Sequence, residues 1–216
     1  MIGTMPYHIV PVTPLMQNCT LLWCEVTRQA VIVDPGGDLA RIQREVQRLD
    51  LTPTRILLTH GHIDHVGVAR AAADVWQIPL WGPSLEDREW LQRLPEQARY
   101  FGLPEVDPLT PDRWLTAGDR IPVGQGFLEA RHTPGHTPGH LVFFDREAGL
   151  VIAGDVLFQG SVGRTDFPGG SWPALRHSIE SQLWPLGDDT LVLPGHGPTT
   201  TIGRERTSNP YLTGRN

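Results

Sequence analysis

The stretch THGHIDHVG, Thr59–Gly67, places three histidines and one aspartate within six positions, although the whole chain of 216 residues contains only nine histidines. Imidazole and carboxylate groups that crowd together need hydrogen-bond partners or a cation to offset the loss of hydration on burial. A compact positive ion meets that need, so the stretch predicts a metal site. Its ligand pattern is H-x-H-x-D-H, formed by His60, His62, Asp64 and His65.

Short apolar segments alternate with helical patterns on both sides of this stretch. Hydrophobic periodicity predicts strands at YHIVPV (7–12), TLLWCEV (20–26), AVIVD (30–34), RILLT (55–59), RIPV (120–123), FLEARHT (127–133), HLVFF (140–144), LVIAG (150–154) and TLVL (190–193). It predicts helices at 38–49, 68–76, 84–94 and about 172–183, with a proline-rich connector at 103–114. Strands grouped in both halves, with helices between and after them, indicate an α/β fold in which two packed sheets are flanked by helices. We therefore expect one domain over residues 1–216, an αββα four-layer sandwich, and the histidine cluster on a loop after the fourth strand.

Further ligand candidates follow later strands. HTPGHTPGH contains His132, His136 and His140, while Asp155 in IAGDVLF and His196 in VLPGHGP each follow a short apolar strand. Loops at strand ends carry functional side chains on a rigid scaffold. Several such positions together indicate a site more strongly than any one motif.

These motifs make the chain similar to the metallo-β-lactamase superfamily over residues 6–212. The similarity lies in THGHIDHVG, TPGHTPGH, GDVLF and LPGHGP. It implies the αββα fold of that family and a dinuclear site in which one metal is held by His60, His62 and His136. It implies a second metal held by Asp64, His65 and His196, with Asp155 bridging the two. His132 and His140 are then expected to support the site rather than to bind metal.

Within the superfamily the chain most resembles the short bacterial type of glyoxalase-II-like thioester hydrolases. β-Lactamases of the family often have cysteine at the position of Asp155, and flavin-diiron proteins have glutamate at the position of His62. The long glyoxalase II enzymes add a helical C-terminal domain for glutathione, which we do not expect here. VGRTDFPGG (162–170) resembles the short type and also the persulfide dioxygenases. Its Arg164 stands where the long enzymes have a lysine that meets a glutathione carboxylate; the alternative is a loop brace that pairs Arg164 with Asp166.

The resemblance implies an enzyme that hydrolyses S-lactoylglutathione or a related glutathione thioester. A water shared by two divalent metals loses its proton near neutral pH, and the hydroxide attacks the thioester carbonyl. Asp64 and Asp155 are the expected catalytic carboxylates. Imidazole and carboxylate ligands suit two zinc ions best here, with iron or manganese as alternatives. Two other functions stay open: an iron-dependent persulfide dioxygenase, and a metal-stabilised binding protein without turnover.

Composition excludes other classes. The formal net charge is −6 and no run of Lys or Arg occurs, so we expect no nucleic-acid partner. The chain has no apolar stretch near 18 residues and no signal-peptide pattern at its start, so we expect no membrane association. Cys19 and Cys24 are five positions apart on a predicted strand and point to opposite faces, which predicts free thiols in a reducing cytoplasm. The oligomeric state stays open.

Overall fold

The computed structural model describes residues 5–214. Its strands are Tyr7–Val12 (β1), Gln17–Trp23 (β2), Gln29–Val33 (β3), Thr52–Leu57 (β4), Leu80–Trp81 (β5), Arg120–Val123 (β6), Gly126–His132 (β7), Leu141–Asp145 (β8), Leu150–Gly154 (β9), Leu157–Phe158 (β10), Ser161–Val162 (β11), Leu191–Pro194 (β12) and Thr200–Thr201 (β13). Its α-helices are Leu39–Arg48 (α1), Ile63–Val66 (α2), Ala69–Trp76 (α3), Arg88–Gln92 (α4), Leu94–Phe101 (α5), Trp172–Ser178 (α6), Ile202–Ser208 (α7) and Pro210–Thr213 (α8).

The strands form two main sheets and a small hairpin. The first sheet has the order β1-β2-β3-β4-β5, the second has the order β13-β12-β9-β8-β7-β6, and β10 pairs with β11. Within the first sheet β3 and β4 are parallel, and within the second β9 and β12 are parallel. THGHIDHVG, Asp155 and His196 follow the carboxyl ends of strands in these two parallel pairs, and HTPGHTPGH connects β7 to β8.

Three apolar clusters separate four layers. The middle cluster lies between the sheets and joins Val31 and Val33 of β3 to Leu141 and Phe143 of β8. The outer clusters pack the first sheet against α1 and α3, and the second sheet against α6 and α7. Successive side chains of a strand point to opposite faces, so each central strand contributes side chains to the clusters on both faces of its sheet. Such strands therefore contain few polar residues. The predicted αββα sandwich is confirmed.

The structure differs from the sequence-based prediction mainly at short helices. The second half of the histidine motif is not a loop, because Asp64 and His65 belong to the single turn of α2. Four residues are too few to give a hydrophobic period. Helix α5 was not predicted: the predicted helix ended at residue 94, whereas α5 spans Leu94–Phe101 with Pro95 in its first turn, where proline is favoured. The predicted helix 172–183 continues past α6 as a π-helical turn, Ile179–Leu183.

Two further observations concern expectations from composition. Cys19 and Cys24 are both free, as predicted, and both are buried. Cys19 lies in β2, whereas Cys24 follows the end of that strand at Trp23 and does not lie within it as predicted. Among residues 5–214, no helix is long and apolar enough to span a bilayer.

The middle cluster yields a stability prediction. Phe143 is fully buried between the sheets. Replacing it with alanine removes its contacts and leaves a cavity, so Phe143→Ala should lower the free energy of unfolding by about 3–5 kcal/mol. Chemical denaturation of the purified chain measures this. Tyr100→Ala is the control, because the Tyr100 side chain is 83% exposed, and a loss of the same size there would contradict the layer assignment.

Candidate metal centre

Three imidazoles form the first group of potential ligands. Nε2 of His60 lies 3.0 Å from Nδ1 of His62, and Nε2 of His136 lies 2.9 Å from the same atom. All three side chains are buried. Nitrogens bound tetrahedrally to one zinc ion at 2.0–2.1 Å would be roughly 3.3 Å apart, which is close to this spacing. The structure therefore brings together three of the residues that the sequence pattern selected.

Asp64, His65 and His196 form the second group. Asp64 Oδ2 is 3.1 Å from Nε2 of His196 and 3.8 Å from Nε2 of His65. Asp155 lies between the groups, since its Oδ1 is 3.3 Å from Nε2 of His65 and its Oδ2 is 3.6 Å from Nε2 of His136. One carboxylate thus reaches both groups, as a bridging ligand must.

The hydrogen bonds around the first group leave nitrogen lone pairs turned inward. His136 Nδ1 contacts the carbonyl of Arg164 at 2.7 Å, and a carbonyl only accepts, so Nδ1 carries the proton. The Thr59 hydroxyl donates to Asp34 at 2.6 Å, so it accepts from His60 Nδ1 at 2.9 Å. Nε2 of both histidines is then an acceptor facing His62, whose Nδ1 can offer at most one proton. A cation would satisfy all three atoms, so this group fits a metal.

The second group fits a cation for a related reason. His65 Nε2 and Asp155 Oδ1 are buried, yet neither has a hydrogen-bond partner among the described residues. On its other side, His65 Nδ1 contacts Asp34 Oδ2 at 2.8 Å. A carboxylate that holds the far nitrogen fixes the ring and leaves Nε2 for a metal. Asp34, His60 and His65 also lie close enough to form a third group, but the nitrogens facing Asp34 and Thr59 are already hydrogen-bonded.

The two groups differ in charge. Burial lowers the pKa values of His60, His62 and His136, so these imidazoles are neutral and ready to bind metal near pH 7. Burial alone would also lower the pKa of His65, but the carboxylates of Asp155 and Asp64 outweigh it and raise that pKa well above its ordinary value. A cation that enters the second group must therefore displace a proton.

Buried polar side chains from other segments hold the loops of this centre. Asp87 is fully buried and accepts hydrogen bonds from Gly61, Thr137 and Gly139. Burial raises the pKa of Asp87 to about 6. Gln97 accepts from the Ile63 amide and donates to the Gly61 carbonyl.

Two aromatic rings flank the first group. The His62 ring stands edge-on to Trp90, at a centroid distance of 4.5 Å, and to Phe167, at 5.0 Å. The His62 Nε2 atom is buried and has no hydrogen-bond partner among the described residues. Aromatic side chains therefore fix the outer side of the ring through packing.

The remaining sequence candidates lie around the centre. His132 donates from Nε2 to the Pro138 carbonyl at 2.8 Å, away from the ligand groups. His140 accepts the Asp155 amide hydrogen on Nε2 at 3.0 Å, so it holds the backbone of Asp155. The guanidinium of Arg164 forms two hydrogen bonds with Asp166, at 3.0 and 2.7 Å, and both side chains are 66% exposed.

Sequence reasoning missed several residues that hold the ligands. Asp34 had a usable signal, because it ends the apolar segment AVIVD just as Asp155 follows LVIAG. Asp87 and Gln97 had none, since they lie in a helical segment with no ligand pattern. The carbonyl of Arg164 could not be found at all from residue types, because every residue has one.

Comparisons with known proteins show which family and fold this chain is similar to. The family model described as the metallo-beta-lactamase superfamily matches residues 12–196. A Haemophilus influenzae protein named hydroxyacylglutathione hydrolase GloC is 46% identical over 96% of this chain and 98% of its own length. A solved structure titled BLEG-1 B3 metallo-beta-lactamase superposes with a TM-score of 0.89 at 38% identity, covering 96% of this chain and 100% of that one. Another, titled TTHA1623 in a di-iron-bound form, superposes with a TM-score of 0.87 at 38% identity, covering 95% and 100%.

Metal content can test whether His136, rather than His132 or His140, is the metal ligand in HTPGHTPGH. His136→Ala removes a nitrogen of the first group and should abolish binding of one metal per chain. His132→Ala and His140→Ala should retain both metals with affinities reduced by at most about 10- to 100-fold, as for residues that only support a ligand. Elemental analysis after dialysis against a fixed free-metal concentration measures this. Loss of metal in His132→Ala with retention in His136→Ala would show that the assignment of this loop is wrong.

Proposed function

The chain belongs to the metallo-beta-lactamase superfamily, and we propose that it hydrolyses thioesters of glutathione, such as S-lactoylglutathione, with two divalent metal ions. Zinc is the proposed metal, and iron and manganese are the alternatives for this imidazole and carboxylate set. The similarity to a protein named as a hydroxyacylglutathione hydrolase supports the substrate class.

The observation that carries this proposal is the complete second ligand group beside the three histidines. The potential ligand atoms of Asp64, His65 and His196 all lie within 4.8 Å of one another. The Asp155 carboxylate lies 3.3 Å from His65 Nε2 and 3.6 Å from His136 Nε2. Bound there, a pair of divalent cations supplies Lewis-acid polarisation of a carbonyl and lowers the pKa of bound water. Hydrolysis needs both functions at adjacent positions.

The side chains of the chain then have distinct tasks. Asp64 is partly exposed, and although burial alone would raise its pKa, His65 and His196 hold that pKa below its ordinary value, so the carboxylate is ionised and can orient a water. His196 is the most exposed ligand, with 28% of its side chain accessible, and marks the open side of the centre. A thiolate leaves without prior protonation near neutral pH, so no separate general acid is required.

The mouth of the site is formed by the segment after Asp155. Phe158 stands edge-on to His196 at 6.2 Å, and Phe167 stands against His62. Arg164 lies over the Phe167 ring at 4.5 Å while it pairs with Asp166. We propose that this guanidinium meets a carboxylate of the glutathione moiety, since its fork of N–H donors suits a carboxylate. Because the Asp166 pair is exposed to water, a substrate carboxylate can compete for the same donors.

The proposal is tested with the purified full chain loaded separately with zinc, manganese or iron. We expect the protein to hydrolyse S-lactoylglutathione, which is measured as a loss of the thioester absorbance. We also expect elemental analysis to find about two metals per chain. Asp155→Ala should lower both the metal content and the rate, because the two cations lose the carboxylate between them.

Three outcomes would contradict the proposal. One iron per chain with oxygen uptake on glutathione persulfide, and no thioesterase activity with any metal, would identify a dioxygenase. Faster hydrolysis of a β-lactam than of the thioester would favour the activity suggested by the likeness to BLEG-1. Two bound metals without turnover of any substrate would indicate a binding protein.

Arg164 provides a prediction about specificity. Loss of a charge-assisted contact remote from the reacting carbonyl should raise KM roughly 10- to 100-fold and change kcat little. Arg164→Ala should therefore weaken turnover of S-lactoylglutathione and spare a small neutral thioester. Steady-state kinetics on both substrates measure the difference.

Asp166→Ala is the matched control for Arg164→Ala. It removes the ion pair but keeps the guanidinium, so it should leave KM for S-lactoylglutathione unchanged or lower it. Equal losses for both variants on both substrates would mean that the pair braces the loop and that Arg164 does not recognise glutathione.

A further inference from the structure

Asp87 is a buried carboxylate that no sequence motif selects. It ends the 3-10 turn Leu85–Asp87 before α4, and it is fully inaccessible to solvent. A carboxylate in such a position needs several donors to offset its lost hydration. All three donors that it has come from the two loops that carry the first ligand group.

The hydrogen bonds of Asp87 connect those loops. Oδ2 accepts from the Gly61 amide at 2.9 Å and from the Thr137 hydroxyl at 2.7 Å, while Oδ1 accepts from the Gly139 amide at 2.6 Å. Gly61 lies between His60 and His62 in the sequence, and Thr137 follows His136. One side chain therefore sets the distance between both sources of imidazoles.

Close packing reinforces this connection. A Cβ atom at Gly139 would lie 2.5 Å from the Asp87 amide nitrogen and 2.9 Å from the Asp87 Cβ. A Cβ at Gly61 would lie 2.6 Å from the Cβ of Trp90, in the helix that follows Asp87. Both loops thus fit closely against the Asp87 segment, and a shift of that segment would move the loops.

The second ligand group depends on a different carboxylate. Its His65 is held by Asp34, whose hydrogen bonds go to Thr59 and His65. None of the hydrogen bonds of Asp87 given above involves Asp64, His65 or His196. The effect of Asp87 on metal binding should therefore be confined to one of the two groups.

We propose that Asp87 is a positioning residue for the metal held by His60, His62 and His136, and that it acts by fixing the spacing of the Gly61 and Thr137–Gly139 loops. This inference rests on the metal-binding part of the proposed function and does not depend on which thioester is hydrolysed.

The test compares Asp87→Asn in two single-site backgrounds. His196→Ala leaves the three-histidine group intact, whereas His136→Ala leaves Asp64, His65 and His196. Asparagine has the shape of aspartate, but its NH2 group would face a backbone amide, of Gly61 or of Gly139, that also donates. Two donors cannot form a hydrogen bond with each other, so we expect that loop to move away from residue 87. Zinc affinity of the metal-free full chain, measured by competition with a chromogenic chelator, should fall about 10- to 100-fold in the His196→Ala background. It should change less than about threefold in the His136→Ala background.

Glu205→Gln is the control for the general cost of altering a buried carboxylate. Glu205 is also fully buried and accepts three hydrogen bonds, from Gly160, Thr200 and Asn209, none of which flanks a ligand histidine. This variant should lower the unfolding temperature of the metal-free chain and leave zinc affinity unchanged in both backgrounds.

The possible outcomes separate the proposals. Equal losses of affinity in both backgrounds, or no loss in either, would overturn the role of Asp87. If the parent chain binds no metal, the proposed function itself fails. If Asp87→Asn does not fold, Thr137→Val removes one of the three donors and keeps the charge. It should then give a smaller loss restricted to the His196→Ala background, and an unchanged affinity there would also overturn the inference.

Discussion

One electrostatic constraint governs the centre of this structure: buried imidazole nitrogens of His60, His62 and His136 face one another with at most one proton among them. Nδ1 of His60 donates its proton to the Thr59 hydroxyl, and Nδ1 of His136 donates to the Arg164 carbonyl. The Nε2 atoms of these two neutral imidazoles can therefore only accept a hydrogen bond. Such an arrangement is costly in the absence of a cation, because unpaired buried acceptors lose hydration without compensation. Metal binding removes this cost, and folding of the site and metal affinity are therefore linked.

The two halves of the centre meet this constraint in different ways. The three-histidine half is neutral and relies on precise spacing of its loops, which the buried carboxylate of Asp87 connects. The other half contains the carboxylates of Asp64 and Asp155, which raise the pKa of His65 against the effect of burial. Asp155 reaches both halves, so the loss of this one carboxylate would remove a ligand from each.

The segment after Asp155 supports the metal centre through the Arg164 carbonyl and the Phe167 ring, while the Arg164 guanidinium is exposed. Most of the proposed metal ligands follow the parallel strands β4, β9 and β12, and His136 lies between the antiparallel strands β7 and β8. Arg164 and Phe167 lie on the segment after Asp155. Substitution of the Arg164 side chain changes this exposed surface but keeps the backbone carbonyl that His136 contacts. Superfamily members with different substrates can therefore share one metal-binding framework.

The sequence by itself predicted two packed sheets flanked by helices, because apolar periods indicate strands and helices. The HxHxDH spacing predicted a metal site, and the resemblance to the family supplied the full set of candidate ligands, which the structure brings together. The sequence also provided the strand-end position of Asp34, although that signal was not used. Only the tertiary structure decided that Asp87 joins two histidine loops and that a backbone carbonyl orients His136. These contacts connect residues 26 to 52 positions apart, or use groups that every residue has, and neither kind leaves a local pattern in the chain. The pairing of Arg164 with Asp166 was one of two sequence hypotheses, and its geometry became visible only once the loop was folded over Phe167.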